Sequence, residues 1–166
     1  RRARSDKQNK LRGIGFGMYL EQCGGGKDEG VDVEFQDDGR IIVYGSQQCN
    51  GQGHRTTVTQ ILSDRLGYDA ELIIVHQGDS NRSPSGTTGG ARMTAVLGSA
   101  TAKAAADIVD AATPLAAAML GCDMSALVFS DGVFLANDTN RSIAIEALVR
   151  RLAQPGQMHQ LNCAQS

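Results

Sequence analysis

The stretch Val31–Gly67, "VDVEFQDDGRIIVYGSQQCNGQGHRTTVTQILSDRLG", changes its hydrophobic period once, and the fold class follows from that change. In its first half Val31, Val33 and Phe35 fall on one face, and Ile41 or Ile42 with Tyr44 continues the alternation beyond Asp38-Gly39. Such alternation marks half-buried strands, and Asp-Gly tolerates the positive φ of a tight hairpin turn. From Thr56 the spacing is helical through Val58, Ile61, Leu62 and Leu66, and Gly67 ends it as a C′ residue. Between the two patterns lies "NGQGHRTT", Asn50–Thr57. A bare turn uses Gly with Asn or Asp; a glutamine set between two glycines asks for another explanation.

Outward from this stretch the pattern stays mixed. On the N-terminal side, "GIGFGMYLEQCG" (13–24) alternates small and large residues and predicts a strand whose glycines admit a close backbone neighbour. Its G-x-G-x-G spacing, with no helix behind it, does not fit a dinucleotide fingerprint. On the other side, "AELIIVHQG" (70–78) predicts a short buried strand and "DSNRSPSGTTGG" (79–90) a loop. An Ala-rich helix is expected over 91–112, with Lys103, Asp107 and Asp110 on one narrow stripe and the rest packed on several sides. Thr113 and Pro114 read as the N-cap and N1 of a second helix that closes at Gly121. "SALVFSDGVFLAN" (125–137) repeats the Asp-Gly hairpin, and "SIAIEALVRRLAQ" (142–154) predicts an amphipathic helix capped by Ser142. The expected class is α+β: mixed, largely antiparallel sheets of hairpins with packed helices, one of them long, Ala-rich and buried. The expected division is a basic leader or linker over 1–12, one α+β domain over 13–154 and a tail over 155–166.

Composition narrows the function. Of 166 residues, 41% are apolar and 20% charged, enough for one domain with a core. The formal net charge is −2 and basic residues cluster only before residue 13, so nucleic-acid binding has no electrostatic support. No apolar run approaches the roughly 20 residues of a membrane helix, and no secretory leader pattern opens the chain. Its charged start without Met is expected of a piece of something longer, and a cytoplasmic location is the expectation. Cys23, Cys49, Cys122 and Cys163 form no C-x-x-C pair, which leaves buried or idle thiols as the expectation. His54, His76 and His159 make no metal-binding spacing, so no metal ligand set is expected.

The chemical signal is a pair of segments, "GSQQCNGQGHRTT" and "SPSGTTGGARMT". Each follows a strand and opens a helix. Helix N-termini present unpaired N–H groups and partial positive charge. Glycines clear side chains from that approach, and phosphate settles there. Gln52 adds an amide suited to the mixed donor and acceptor edge of a heterocycle or to an oxo group. No P-loop pattern occurs. The residues alone therefore point to a site for a phosphorylated or pterin-like ligand, and to no reaction.

These segments resemble the molybdenum cofactor-binding large subunit of the xanthine dehydrogenase family, which includes aldehyde oxidases and carbon monoxide dehydrogenase. "LRGIGFGMYLEQCGG", "DGRIIVYGSQQCNGQGHRTTVTQILSDRLG" and "ELIIVHQGDSNRSPSGTTGGARMTAVLGSATAKAA" match its second cofactor domain in order. The resemblance implies that Gly51, Gln52, Gly53 and His54 line the pyranopterin and the metal. It implies that Thr88, Gly89, Gly90, Ala91, Arg92 and Met93 wrap the pterin, its phosphate or an attached cytosine nucleotide. Carbon monoxide dehydrogenase-like members carry Gly-Ser-Arg-Ser-Thr where this chain has Gly90-Ala91-Arg92-Met93-Thr94, so two hydroxyl donors are missing.

The implied reaction is hydroxylation of aldehydes, N-heterocycles or a related small substrate with water-derived oxygen. Iron–sulfur clusters and FAD would sit on other domains or subunits, which with the rest of the large subunit are the implied partners. The family's general base is a glutamate in a Gly-Glu segment that these residues do not contain. Glu21, Glu29, Glu34, Glu71 and Glu146 match no such segment and are expected on the surface or in hairpins, so no catalytic residue is assigned. The isolated segment is expected to be inactive and to self-associate through the long helix. The alternative is a non-catalytic module that binds a phosphorylated ligand or a partner protein.

Overall fold

Two small sheets share one long helix. The computed structural model describes residues 2–21, 29–82, 86–152 and 161–165. In chain order these form α1 (Arg2–Asp6), β1 (Val31–Phe35), β2 (Ile41–Gly45), α2 (His54–Leu66), β3 (Ile73–Gln77) and α3 (Met93–Leu120). Then come β4 (Leu127–Ser130), β5 (Val133–Ala136), β6 (Arg141–Ala144), α4 (Ile145–Leu152) and β7 (Cys163–Gln165). The first sheet has the order β3-β2-β1-β7 and the second β4-β5-β6. All pairings are antiparallel except β2 with β3, which α2 connects as a crossover. This is the expected mixed α+β class.

Alternation decides which face of the first sheet is core. Val31, Val33, Phe35, Ile41, Val43, Ile73 and Val75 are buried. The intervening Asp32, Tyr44 and His76 form one cross-strand row on the outer face. Both helices pack on the buried face. α2 contributes His54, Val58, Leu62 and Leu66, spaced by one helical turn. α3 contacts β1, β7 and α2 and also the three strands of the second sheet. Its small side chains allow that closeness: a Cβ at Gly98 would lie 3.3 Å from Ile61 of α2. The exposed stripe runs through Ala95, Ser99, Lys103, Ala106, Asp110 and Pro114.

Three local expectations are corrected. The helix expected to restart at Thr113-Pro114 does not restart; α3 is continuous over 28 residues with Pro114 inside. A proline there removes one backbone donor. Pro114 and Asp110 lie on the exposed stripe, so the carbonyl that loses its donor faces water, and the Thr113 hydroxyl donates to Val109 O at 2.8 Å. Ala112, Ala116, Ala117 and Leu120 are buried around the break and hold the helix on course. Ser142 is not an N-cap. It lies in β6 opposite Leu135, because residues 141–144 occupy the edge of β5 and α4 begins only at Ile145. The strand expected over 13–24 is absent from 13–21, where Ile14, Phe16, Met18 and Leu20 are all at least 89% exposed. The β1 edge is paired instead with β7, in the segment expected as tail. Gln22, Cys23 and Gly24 lie outside the described residues.

Candidate functional site

Both glycine segments arise at the carboxyl ends of the parallel pair β2–β3, where open sheets place ligands. The first leaves β2 at Gly45 and enters α2; the second follows β3 and enters α3. Gly51 and Gly53 adopt φ of 105° and 79°, accessible to glycine at little cost. A side chain at Gly51, Gly53 or Gly89 would meet nothing within 4 Å, so the backbone there is open to an approaching ligand. Neither Gly53, the N-cap of α2, nor Arg92, the N-cap of α3, supplies a side-chain cap hydrogen bond to the first turn. Two helix N-termini thus present N–H groups toward one place, with the positive end of each helix dipole behind them.

That place is one cleft of about 300 Å³ lined by Gln52, His54 and Thr88–Thr94. Eight of the ten residues singled out in the sequence lie on its wall, and Gly51 and Gly53 flank Gln52 in the same loop. The Thr88 hydroxyl donates to Gln48 O at 2.7 Å, tying the second loop to the first. The Gln52 oxygen is occupied within its own loop. It accepts from Asn50 N–H and, at 3.6 Å, from the Cys49 thiol. Nε2 is then the part of Gln52 left for a ligand. His54 is 4% exposed and neither ring nitrogen has a partner. Burial holds its pKa below the ordinary value of 6.5, so the imidazole behind the cleft wall is neutral near neutral pH, with one donor and one acceptor.

Cys49 reports on the first loop. It is exposed rather than buried. The N–H groups of His54, Gly51, Gly53 and Gln52 lower its thiol pKa, His54 most.

The second loop is held from behind. Glu29, expected on the surface or in a hairpin, is 2% exposed, a correction with a clear cause. Its Oε1 pairs with Arg92 Nη2 at 2.9 Å, and its Oε2 accepts from the Ser46 hydroxyl at 2.6 Å. The Glu29 and Arg92 side chains are 0% and 7% exposed. Arg92 therefore turns inward, and the cleft wall it forms is anchored to the end of β2. Gly86 closes the arrangement: a Cβ there would fall 2.1 Å from Glu29 Oε2 and 2.4 Å from Ser46 Oγ. Ala91 adopts φ 47°, a left-handed conformation that costs a non-glycine residue about 1–2 kcal/mol. Such strain gathers at functional loops.

Sequence reasoning missed Glu29, Ser46, Gly86, Gln47 and Gln77. Gln47 is 1% exposed, and neither of its amide atoms has a partner; the same is true of the amide atoms of Gln77. A signal existed for the two glutamines, since each is an uncharged polar residue at the exit of an apolar strand. Glu29 carried none. Among the described residues no group of three or more His, Cys, Asp or Glu side chains could hold a metal ion.

The model of a family described as "Molybdopterin cofactor-binding domain" matches residues 1–164. The chain is 32% identical over 123 residues to the carbon monoxide dehydrogenase large chain of Afipia carboxidovorans, covering 67% of this chain and 15% of that one. It is 31% identical over 134 residues to subunit gamma of the 6-hydroxypseudooxynicotine dehydrogenase complex of Paenarthrobacter nicotinovorans, covering 80% and 17%. Among solved structures, a Cu,Mo-CO dehydrogenase superposes with a TM-score of 0.76 at 27% identity, over 82% of this chain and 18% of that one. The 166 residues thus span less than a fifth of each of these relatives.

Proposed function

The chain belongs to the molybdopterin cofactor-binding domain family, and on that premise we propose that it is the part of a molybdenum hydroxylase large subunit that cradles the cofactor. The observation that carries this reading is the single cleft joining both glycine loops at two uncapped helix N-termini. The residues fit a phosphorylated pterin. Gly51, Gly53, Gly89 and Gly90 offer backbone without side chains, Gln52 Nε2 and Thr88 add polar contacts, and His54 brings an unpartnered imidazole. Ala91 and Met93 carry no hydroxyl, so anion contacts there come from backbone N–H groups. Arg92 serves by fixing the loop through Glu29.

When bound, a molybdenum–pyranopterin cofactor, with or without a cytosine nucleotide, supplies the centre at which a small substrate is hydroxylated with water-derived oxygen. Aldehydes, N-heterocycles and related small molecules are the proposed substrate class. Iron–sulfur clusters and FAD on other domains or subunits are the proposed electron acceptors. This chain's residues bind and orient; none of them is assigned the role of base. A cytoplasmic location is part of the same proposal. Among the described residues, no helix is long and apolar enough to cross a membrane.

Gly89→Val in the full-length subunit tests the reading. The new side chain meets no protein atom at its Cβ, so the fold is retained while the approach to the second loop is blocked. Molybdenum content should fall from near one per subunit to a small fraction; undiminished content sinks the proposal. The isolated 166 residues should hold no stoichiometric molybdenum and reduce no dye. They should also associate, now through Leu11, Ile14, Phe16, Met18 and Leu20, which are exposed where the α3 stripe is small and charged. A monomeric mass by light scattering at high concentration would count against that last point.

A further inference from the structure

The two glycine loops meet on one buried carboxylate, and strand register brings it there. Val31 of β1 lies opposite Gly45 of β2 in an antiparallel pair. Residues just before β1 therefore lie beside residues just after β2, where the first loop begins. Alternation sets the direction: Glu29 precedes Val31, Val33 and Phe35 by even steps, and all four are buried. α3 packs against β1, so an inward side chain at position 29 meets the start of that helix. Glu29 Oε2 accepts from the Ser46 hydroxyl of the first loop at 2.6 Å, and Oε1 pairs with Arg92 Nη2 of the second at 2.9 Å. Gly86 of the second loop leaves room for both contacts, since a Cβ there would overlap Glu29 Oε2 and Ser46 Oγ. The Thr88–Gln48 hydrogen bond joins the same two loops at an exposed position. The loops thus have two cross-ties, one exposed and one buried.

Burying a carboxylate and a guanidinium is costly, and an apolar pair of similar volume is often as stable or more so. Stability is therefore a weak reason for the pair; what it adds is direction. A carboxylate with one oxygen on each loop fixes how far apart the loops stand. The second loop needs such a hold. Gly90 and Ala91 are consecutive left-handed residues at φ 57° and 47°, immediately before Arg92, and a non-glycine residue keeps that conformation only where its surroundings impose it. The cleft is lined by Gln52 and His54 from the first segment and Thr88–Thr94 from the second, so a ligand seated there touches both and feels their separation. We propose that Glu29 is the positioning residue of this site, locking the two helix N-termini at the spacing that lets one phosphorylated ligand engage both. Its side chain is 0% exposed, so it acts through Ser46 and Arg92 and touches no ligand itself. The inference rests on the cofactor-binding function proposed above and adds to it a residue outside both glycine segments. Binding groups must be held within about 0.5 Å of the productive geometry, so a loosened tie weakens binding even where both loops stay folded.

The test uses the full-length subunit in its complex, as wild type, Glu29→Gln, Ser46→Ala and Leu148→Ala. Pterin is measured by fluorescence after oxidative extraction, and the thermal midpoint on cofactor-free protein. Glu29→Gln should lower bound pterin about tenfold or more, the range seen when a residue that orients a ligand's direct contacts is altered. Ser46→Ala cuts the tie to the first loop and leaves the ion pair in place, so it should lower pterin in the same direction with a smaller fall in midpoint. Leu148→Ala empties a wholly buried position on α4. It should lower the midpoint more than Ser46→Ala does and still keep its pterin. A purely structural role for Glu29 predicts the opposite order, with pterin content following the midpoint in all three variants, and that result overturns the proposal. Full pterin in Ser46→Ala, or in folded Glu29→Gln, overturns it as well. Should Glu29→Gln fail to fold, Ser46→Ala against Leu148→Ala decides alone. A wild-type subunit without pterin overturns the cofactor reading itself and this inference with it, whereas pterin in wild type with no loss in the variants overturns this inference only.

Discussion

The two ends of α3 are built on opposite terms. At its C-terminus Gly121 turns left-handed and returns its N–H to Ala117 O. The Asp123 side chain then takes Ser125 N–H and hydroxyl, the Asp131-Gly132 turn closes β4 onto β5, and Ile145 N–H donates to Gly132 O at 2.8 Å. At its N-terminus the N-cap Arg92 supplies no side-chain cap hydrogen bond, nor does Gly53 at the start of α2, and Gln47, Gln77 and His54 hold unpartnered polar atoms. One end satisfies its own groups; the other leaves groups unpartnered, of which the proposed function assigns the His54 imidazole to a ligand. Stability and recognition are thus separated along a single helix, and the same kind of residue should carry different weight at each end.

Ion pairs give the largest expected contrast. Glu29–Arg92 is buried at the recognition end, whereas Glu146–Arg150 is an exposed i,i+4 pair on α4. Glu29→Gln removes the carboxylate charge beside the buried Arg92 guanidinium and should cost about 3–5 kcal/mol of unfolding free energy. Glu146→Gln should cost about 0.5 kcal/mol or less. Urea titrations of the two variants measure both. Equal losses would break the comparison, because the clamp behind the second loop would then be no tighter than a surface pair.

Legibility in the sequence divides along the same line. Elements that satisfy their own groups locally could be read: both Asp-Gly hairpins, the helix expected from Thr56 to Gly67 and the start of the long helix all announce themselves through period and turn chemistry. What failed depends on partners far away in the chain. Ser142 looks like a cap until β5 takes its backbone. Thr113-Pro114 looks like a start until buried alanines carry the helix through. Segment 13–21 looks like a strand, but β7 holds the β1 edge. At the candidate site the glycines were visible because their spacing is local, and His54 only through the family resemblance of its segment. Glu29 was not, since its burial comes from Arg92, Ser46 and Gly86, all distant in sequence.

A smaller contrast separates the left-handed residues flanking α3. Ala91 at φ 47° stands before it and Gly121 at φ 63° after it. Ala91→Gly removes left-handed strain but adds freedom to the unfolded chain, so the net gain should reach at most about 1 kcal/mol. Gly121→Ala makes the opposite change and should cost about 1 kcal/mol. Denaturant midpoints should move in opposite directions with unchanged slopes. If Ala91→Gly destabilises, the left-handed turn before α3 is held by something other than tolerated strain, and the recognition end is less loosely built than the structure indicates.

The finest test is the pH dependence contributed by His54. Its pKa in the folded chain lies below 6.5 because burial disfavours the imidazolium, while the unfolded residue titrates near that ordinary value. As pH falls through 6.5, the unfolded chain takes up a proton that the folded chain refuses, so stability drops until the depressed folded pKa is passed and then levels off. Above 6.5 the residue contributes no slope. His54→Asn keeps a polar side chain without a titration in this range, and the difference between wild type and variant isolates the effect. Unfolding free energies on either side of pH 6.5 should therefore differ more in wild type than in the variant, with wild type losing stability on the acid side. If the two proteins show the same pH dependence, the imidazole is not held neutral by burial. The unpartnered ring nitrogens would then be reached by water already, and His54 would have little to offer a ligand that water does not already supply.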